Sequence, residues 1–144
     1  MISIFIGMGI LTAIVLLSFL LTYWLNPHVE SPDGKARLTG SCGDTMEISL
    51  KFRDQRVTEA AYWTNGCAYS LNCICAAADL AKGKTPDEIL DIDPGLIQKS
   101  VGCLPADQMH CARLSVETLY AALEDYMKNM KGQGKGRSLT RPIS

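Results

Sequence analysis

Three short stretches of this chain carry side chains that could do chemistry. Cys42 lies in Ser41-Cys42-Gly43-Asp44, two residues from a carboxylate. Cys67 follows Thr64-Asn65-Gly66, and His110-Cys111 follows Leu104-Pro105 at a short distance. The thiolate, not the thiol, binds metal and attacks sulfur, and the free N–H groups at a helix start favour it. Cys67 and Cys111 both fall near expected helix starts and Cys42 falls in a loop, so distant segments could bring them together. The donor set is then Cys42, Asp44, Cys67, His110 and Cys111. There is no C-x₂-C pair in it, so no zinc-finger spacing. The residues alone leave open a Cys/His/Asp site for an unspecified metal and a set of unpaired structural cysteines. A nucleophilic His110–Cys111 dyad is disfavoured, because neighbours on a helix point about 100° apart.

The elements that must position these groups are legible around them. Met46, Ile48, Leu50 and Phe52 alternate with Glu47, Ser49, Lys51 and Arg53, the period of a strand with one buried face. Asp54-Gln55 supplies a turn, and Val57 to Thr64 is rich enough in β-branched and aromatic residues to pair back. Ala36 to Gly40 adds a short edge strand. From Cys67 to Lys82 the chain is rich in alanine and leucine without proline or glycine, which predicts a helix closed by Gly83. Thr85-Pro86-Asp87-Glu88 is a capping box with proline at the first helical position, and Asp93-Pro94 repeats the start signal. A last helix is expected from about Ala106 to Met130. Its stripe of Ala112, Val116, Leu119, Leu123, Tyr126, Met127 and Met130 faces the sheet. Strands followed by helices predict an α+β domain: a small antiparallel sheet of about three strands with helices packed on one face.

The N-terminus has a different character. Ile2 to Leu25 contains no charged residue and would be about 36 Å long as a helix, against a hydrocarbon core of about 30 Å. Tyr23 and Trp24 stand where amphipathic rings favour the interface, and Asn26-Pro27 stops the helix. A signal peptide would want a basic n-region, a shorter apolar run and a better cleavage site than Leu25-Asn26-Pro27-His28. A core helix apolar on every face is too long for so small a domain. The reading is therefore a single membrane anchor over 1–25, a domain over 26–130 and a flexible basic tail over 131–144. Lys35 and Arg37 follow the span and no basic residue precedes it, which places the domain on the cytoplasmic side. Lys128, Lys131, Lys135, Arg137 and Arg141 come after the last acidic residue, Asp125, and read as a solvated tail or a weak attraction to anionic lipid. At a net charge of −1 nothing in the chain calls for nucleic acid.

With those residues in view, positions 26 to about 128 closely resemble the U-type iron–sulfur scaffolds, the family of IscU and the N-terminal part of NifU. The matching stretches are Ser41-Cys42-Gly43-Asp44-Thr45-Met46, Thr64-Asn65-Gly66-Cys67, Lys82-Gly83-Lys84-Thr85 and Leu104-Pro105 leading to His110-Cys111. The resemblance implies that Cys42, Cys67 and Cys111 are scaffold cysteines, Asp44 the carboxylate that keeps the cluster labile and His110 a further ligand. It implies iron and a transient [2Fe-2S] cluster, a cysteine desulfurase as sulfur donor, apoproteins as acceptors and a scaffold that is a carrier and not an enzyme. It leaves a homodimer open, with a cluster between two protomers. Because His110 and Cys111 diverge, they are expected to alternate as ligands, with Cys111 as the sulfur acceptor.

Some features depart from the family. The Leu-Pro-Pro-Val-Lys motif read by an Hsp70-type chaperone is here Leu104-Pro105-Ala106-Asp107-Gln108, which weakens the case for that partner. The SufU-like branch of zinc-dependent sulfurtransferases carries a long insertion between its second and third cysteines and lacks the histidine. The 44-residue step from Cys67 to Cys111, with His110 present, argues against that branch and leaves it as the runner-up, with bound zinc as its mark. Six cysteines behind an apolar N-terminus also suggest an exported, disulfide-bonded domain. Cys73 and Cys75 read as core filling, and Cys103 as core filling or a further ligand or sulfur relay.

Overall fold

The computed structural model describes residues 2–25, 29–102 and 104–136. Helix α1 (Ile2–Leu25) precedes a sheet of β1 (Gly34–Thr39), β2 (Thr45–Arg53) and β3 (Arg56–Thr64), and then α2 (Ala68–Ala81), α3 (Pro86–Ile89), α4 (Pro94–Val101), a 3₁₀ turn (Ala106–Gln108) and α5 (Met109–Gly136). The three strands form an antiparallel meander in chain order. Met46, Ile48 and Leu50 are fully buried, while Glu47 and Ser49 between them face outward, so the alternation expected of β2 sets the sheet's two faces. Asp54 and Gln55 make the tight β2–β3 turn with positive φ angles of 51° and 62°, the backbone that matches strand twist in a two-residue hairpin.

The helices cover one face of the sheet. α5 lies along β1 and β2, α2 along β3 and against α5, and α4 on both helices. Met46, Ile48, Leu50, Ile74, Ile97, Leu119 and Leu123 meet in that single layer between sheet and helices. The start signals hold in detail. Thr85 and Glu88 form the reciprocal capping box, and Asp93 accepts the Leu96 N–H at 2.7 Å. Gly83, after α2, has a φ of 76°, which glycine adopts without strain.

The last helix departs from its expected limits. It begins at Met109 after the 3₁₀ turn and runs through Gly132 to Gly136, beyond Met130. Its buried stripe ends at Tyr126, which stacks on Phe52 with ring centroids 3.8 Å apart; Met127 and Met130 are exposed. The reason is length: α5 extends about 42 Å, twice the roughly 20 Å of the six-residue strand beside it, so its final turns have no sheet to cover. Residues 137–144, the remainder of the expected tail, lie outside the described residues, as do Asn26 and Pro27 of the expected helix stop.

α1 is long and apolar enough to cross a membrane, and its central segment Ile6–Tyr23 is not buried against the rest of the protein. It is a candidate span by length and composition.

Close approach of α5 to β1 depends on Gly34, where a Cβ would press on the Ala122 carbonyl and lie 2.8 Å from Tyr126 Cβ. Gly34→Ala is expected to destabilise the domain by about 1–3 kcal/mol through overpacking. Leu119→Ala, at a fully buried position, should cost about 2–5 kcal/mol. Urea denaturation followed by far-ultraviolet dichroism measures both.

Candidate metal and sulfur site

Asp44, Cys67 and Cys111 converge from the β1–β2 loop, the start of α2 and the start of α5, with one ligand atom from each within 4.8 Å of the others. A tetrahedral metal with metal–sulfur bonds of about 2.3 Å needs donors about 3.8 Å apart. The trio would therefore have to close by about an ångström. Two thiols and a carboxylate suit a borderline metal such as iron or zinc.

Each position has a local cause. The β1–β2 loop turns back tightly: Gly40 N–H donates to the Asp44 carbonyl at 2.9 Å and Gly43 N–H to the Gly40 carbonyl at 3.0 Å. Gly43 adopts a φ of 86° there, which fits glycine. Cys67 is the N-cap of α2. Its Sγ makes no close capping hydrogen bond, but it sits among the free N–H groups of the first turn. Those of Ser70, then Tyr69, favour the thiolate and hold the Cys67 thiol below its usual range. Cys111, on the inward face of α5, is 1% exposed. Burial pushes its thiol up.

Cys42 and His110 stand apart from this trio. Both line an adjoining concavity of about 210 Å³ with Gly40, Ser41, Arg113, Leu114 and Glu117. Cys42 is exposed. His110 is exposed, with Nδ1 2.9 Å from the Asp107 carbonyl oxygen. A carbonyl only accepts, so Nδ1 is the donor in this contact and Nε2 is the ring nitrogen left to face a metal. His110 and Cys111 thus point in different directions from successive positions of one helix.

The remaining thiols fall elsewhere. Cys73 is fully buried in the core, which pushes its thiol up to about 11. Cys75 is half-buried beside Asp79, 3.7 Å from its carboxylate. Cys103 lies outside the described residues. No disulfide joins the five described cysteines.

Sequence reasoning missed two residues at the centre of the site. Ser70, fully buried on α2, hydrogen bonds to Asp44 Oδ2 and lies 3.3 Å from Cys111 Sγ and 3.7 Å from Cys67 Sγ. Gly66 makes room for this: a Cβ there would lie 2.5 Å from Asp44 Oδ2 and 2.6 Å from Ser70 Cβ. The available signal was a small polar residue three positions after a thiol at a helix start.

Residues 30–133 match the family described as the NifU-like N terminal domain. The chain is 35% identical over 101 residues to the iron-sulfur cluster assembly scaffold proteins IscU 1 and IscU 2 of Archaeoglobus fulgidus, covering 69% of this chain and 66% of theirs. It thus spans just under two thirds of those relatives. The scaffold protein IscU of Aquifex aeolicus is 27% identical over 114 residues, 74% of this chain and 73% of that one. Among solved structures, the N-terminal part of a NifU-like protein from Brucella abortus superposes with a TM-score of 0.54 at 21% identity, over 69% of this chain and 83% of that one. A putative SUF-system scaffold protein from Fervidobacterium islandicum gives 0.55 at 20%, over 66% and 83%. At those identities the structures establish the fold. The family match covers most of the chain, and this protein belongs to the NifU-like N-terminal domain family.

Proposed function

We propose that this chain is an iron–sulfur cluster assembly scaffold, a carrier that builds a [2Fe-2S] cluster at Cys42, Asp44, Cys67, His110 and Cys111 and passes it to apoproteins. The observation that carries the reading is the convergence of Asp44, Cys67 and Cys111 from three segments distant in sequence, in a member of this family. Sulfur would arrive from a cysteine desulfurase as persulfide. A thiolate of the site attacks the terminal sulfur, the donor's S–S bond breaks, the donor leaves as thiolate and a new persulfide remains on the scaffold. Reducing that sulfur to sulfide takes two electrons; ferrous iron supplies one of them and a thiol reductant the other.

The residues suit a division of labour. Cys67, its thiolate favoured by the helix start, is ready to bind iron. Cys111 is held back by burial, and we assign it as the sulfur acceptor, with His110 as the alternate ligand from the same helix. The adjoining concavity gives Cys42 and His110 a common side from which to approach the trio. The N-terminal helix would tether the domain to a membrane with the site on the cytoplasmic side.

Anaerobic reconstitution with ferrous iron, cysteine, a thiol reductant and a cysteine desulfurase tests the scaffold. Near-equal iron and labile sulfide are expected, with a charge-transfer spectrum lost in the serine variants of Cys42, Cys67 or Cys111. Retained zinc without a cluster, and persulfide on one cysteine, would replace the scaffold with the zinc-dependent sulfurtransferase. Gly66→Ala, by displacing Asp44 and Ser70, should lower cluster retention about tenfold. Limiting iodoacetamide should label Cys67 ahead of Cys111. Because the Cys67 thiol is lowered and the Cys111 thiol raised, that lead should widen as the pH falls from alkaline towards neutral. Flotation with liposomes, retaining the full-length mass, is the outcome expected of an anchor; loss of the N-terminal segment marks a cleaved signal.

A further inference from the structure

Ser70 is the point on which the convergent trio closes. Its hydroxyl has one proton and two lone pairs. A carboxylate can only accept, so the proton goes to Asp44 Oδ2. The oxygen is then free to accept from Cys111 Sγ, 3.3 Å away, while that thiol carries its proton, and Cys67 Sγ lies 3.7 Å off. Among the described residues Ser70 is the one side chain that donates to the Asp44 carboxylate, which otherwise stands half-buried at the end of a tight loop. Ser70 itself is fully buried in the first turn of a 14-residue helix, so its rotamer is fixed by the packing around it. Gly66 brings Asp44 and Ser70 together because it has no side chain to hold them apart.

We propose that Ser70 is a positioning residue for metal capture, acting through Asp44. It holds the carboxylate within reach of both thiols before the metal arrives, so the loop need not be ordered by the binding event. This deepens the scaffold reading and rests on the same three donors. A group that orients a ligating carboxylate is worth about 10–100-fold in metal affinity when it is removed. A serine that merely filled space would act on folding and would be indifferent to the presence of Asp44.

The test is an anaerobic cobalt(II) titration of the full chain in detergent, read from the sulfur-to-cobalt charge-transfer band. Wild type, Ser70→Ala, Asp44→Ala and the double variant form a thermodynamic cycle. Ser70→Ala should weaken cobalt binding about tenfold. In the Asp44→Ala background the same change should cost less than about twofold, because the group it acts through is gone. Ser115→Ala, a buried serine on α5 that bonds the Ala112 carbonyl, should leave affinity unchanged. A Ser70→Ala affinity within about twofold of wild type, or an equal loss in both backgrounds, overturns the proposal. Cobalt coupling through Ser70 without cluster assembly on reconstitution would remove the scaffold reading and leave the role of Ser70 standing. A cluster that assembles equally well with no coupling would do the reverse.

Discussion

A Cβ atom on Gly66 would lie 2.5 Å from Asp44 Oδ2 and 2.6 Å from Ser70 Cβ, closer than side chains pack in folded proteins. The φ of this glycine is not in the left-handed region, so glycine is required here by space and not by backbone conformation. Its missing side chain lets the β1–β2 loop rest on the first turn of α2. Cys67, at the start of the same helix, is thereby brought alongside the carboxylate, and the inward face of α5 adds Cys111. Remove the close approach and the three donors belong to three unrelated segments.

The rest of the domain keeps those segments in register. β1 and β2 are fixed to each other by a six-pair antiparallel ladder running from Gly34↔Leu50 to Thr39↔Thr45, which places the Cys42–Asp44 loop at one end of the sheet. Asn65 Oδ1 accepts the Thr45 N–H at 2.7 Å and Thr64 Oγ1 donates to the Thr45 carbonyl at 2.8 Å, so the segment entering α2 is tied to the residue after Asp44. At the other end, the Phe52–Tyr126 stack, together with the Lys35 N–H donated to Asp125 at 3.0 Å, fixes α5 along β1. A buried layer of Ile, Leu, Met and Ala between sheet and helices makes these ties mutually supporting.

Within this frame two similar thiols acquire opposite properties. Cys67 lies among unpaired N–H groups in water's reach, which stabilises its thiolate. Cys111 is removed from water, which stabilises its thiol. The difference comes from placement: each lies close to a helix start, but only one is buried. The two thiols of the site are therefore not chemically equivalent.

Much of this was legible in the chain itself. The alternation of Met46 to Arg53, the capping box at Thr85, the proline starts and the C-G-D, G-C and H-C stretches are local patterns. They fixed the strands, most helix starts and the list of candidate donors. Periodicity says nothing of how much sheet there is to cover, so it extends to Met127 and Met130 a buried stripe that ends at Tyr126. Ser70 was invisible for a similar reason. Nothing local marks one serine in an alanine-rich helix as the partner of a carboxylate 26 positions away. Sequence by itself determined which groups could bind metal and which elements would carry them. The tertiary structure alone decided which of them meet, that Cys42 and His110 share a neighbouring concavity, and that Cys67 and Cys111 differ. Distance and burial arise only when separate segments pack.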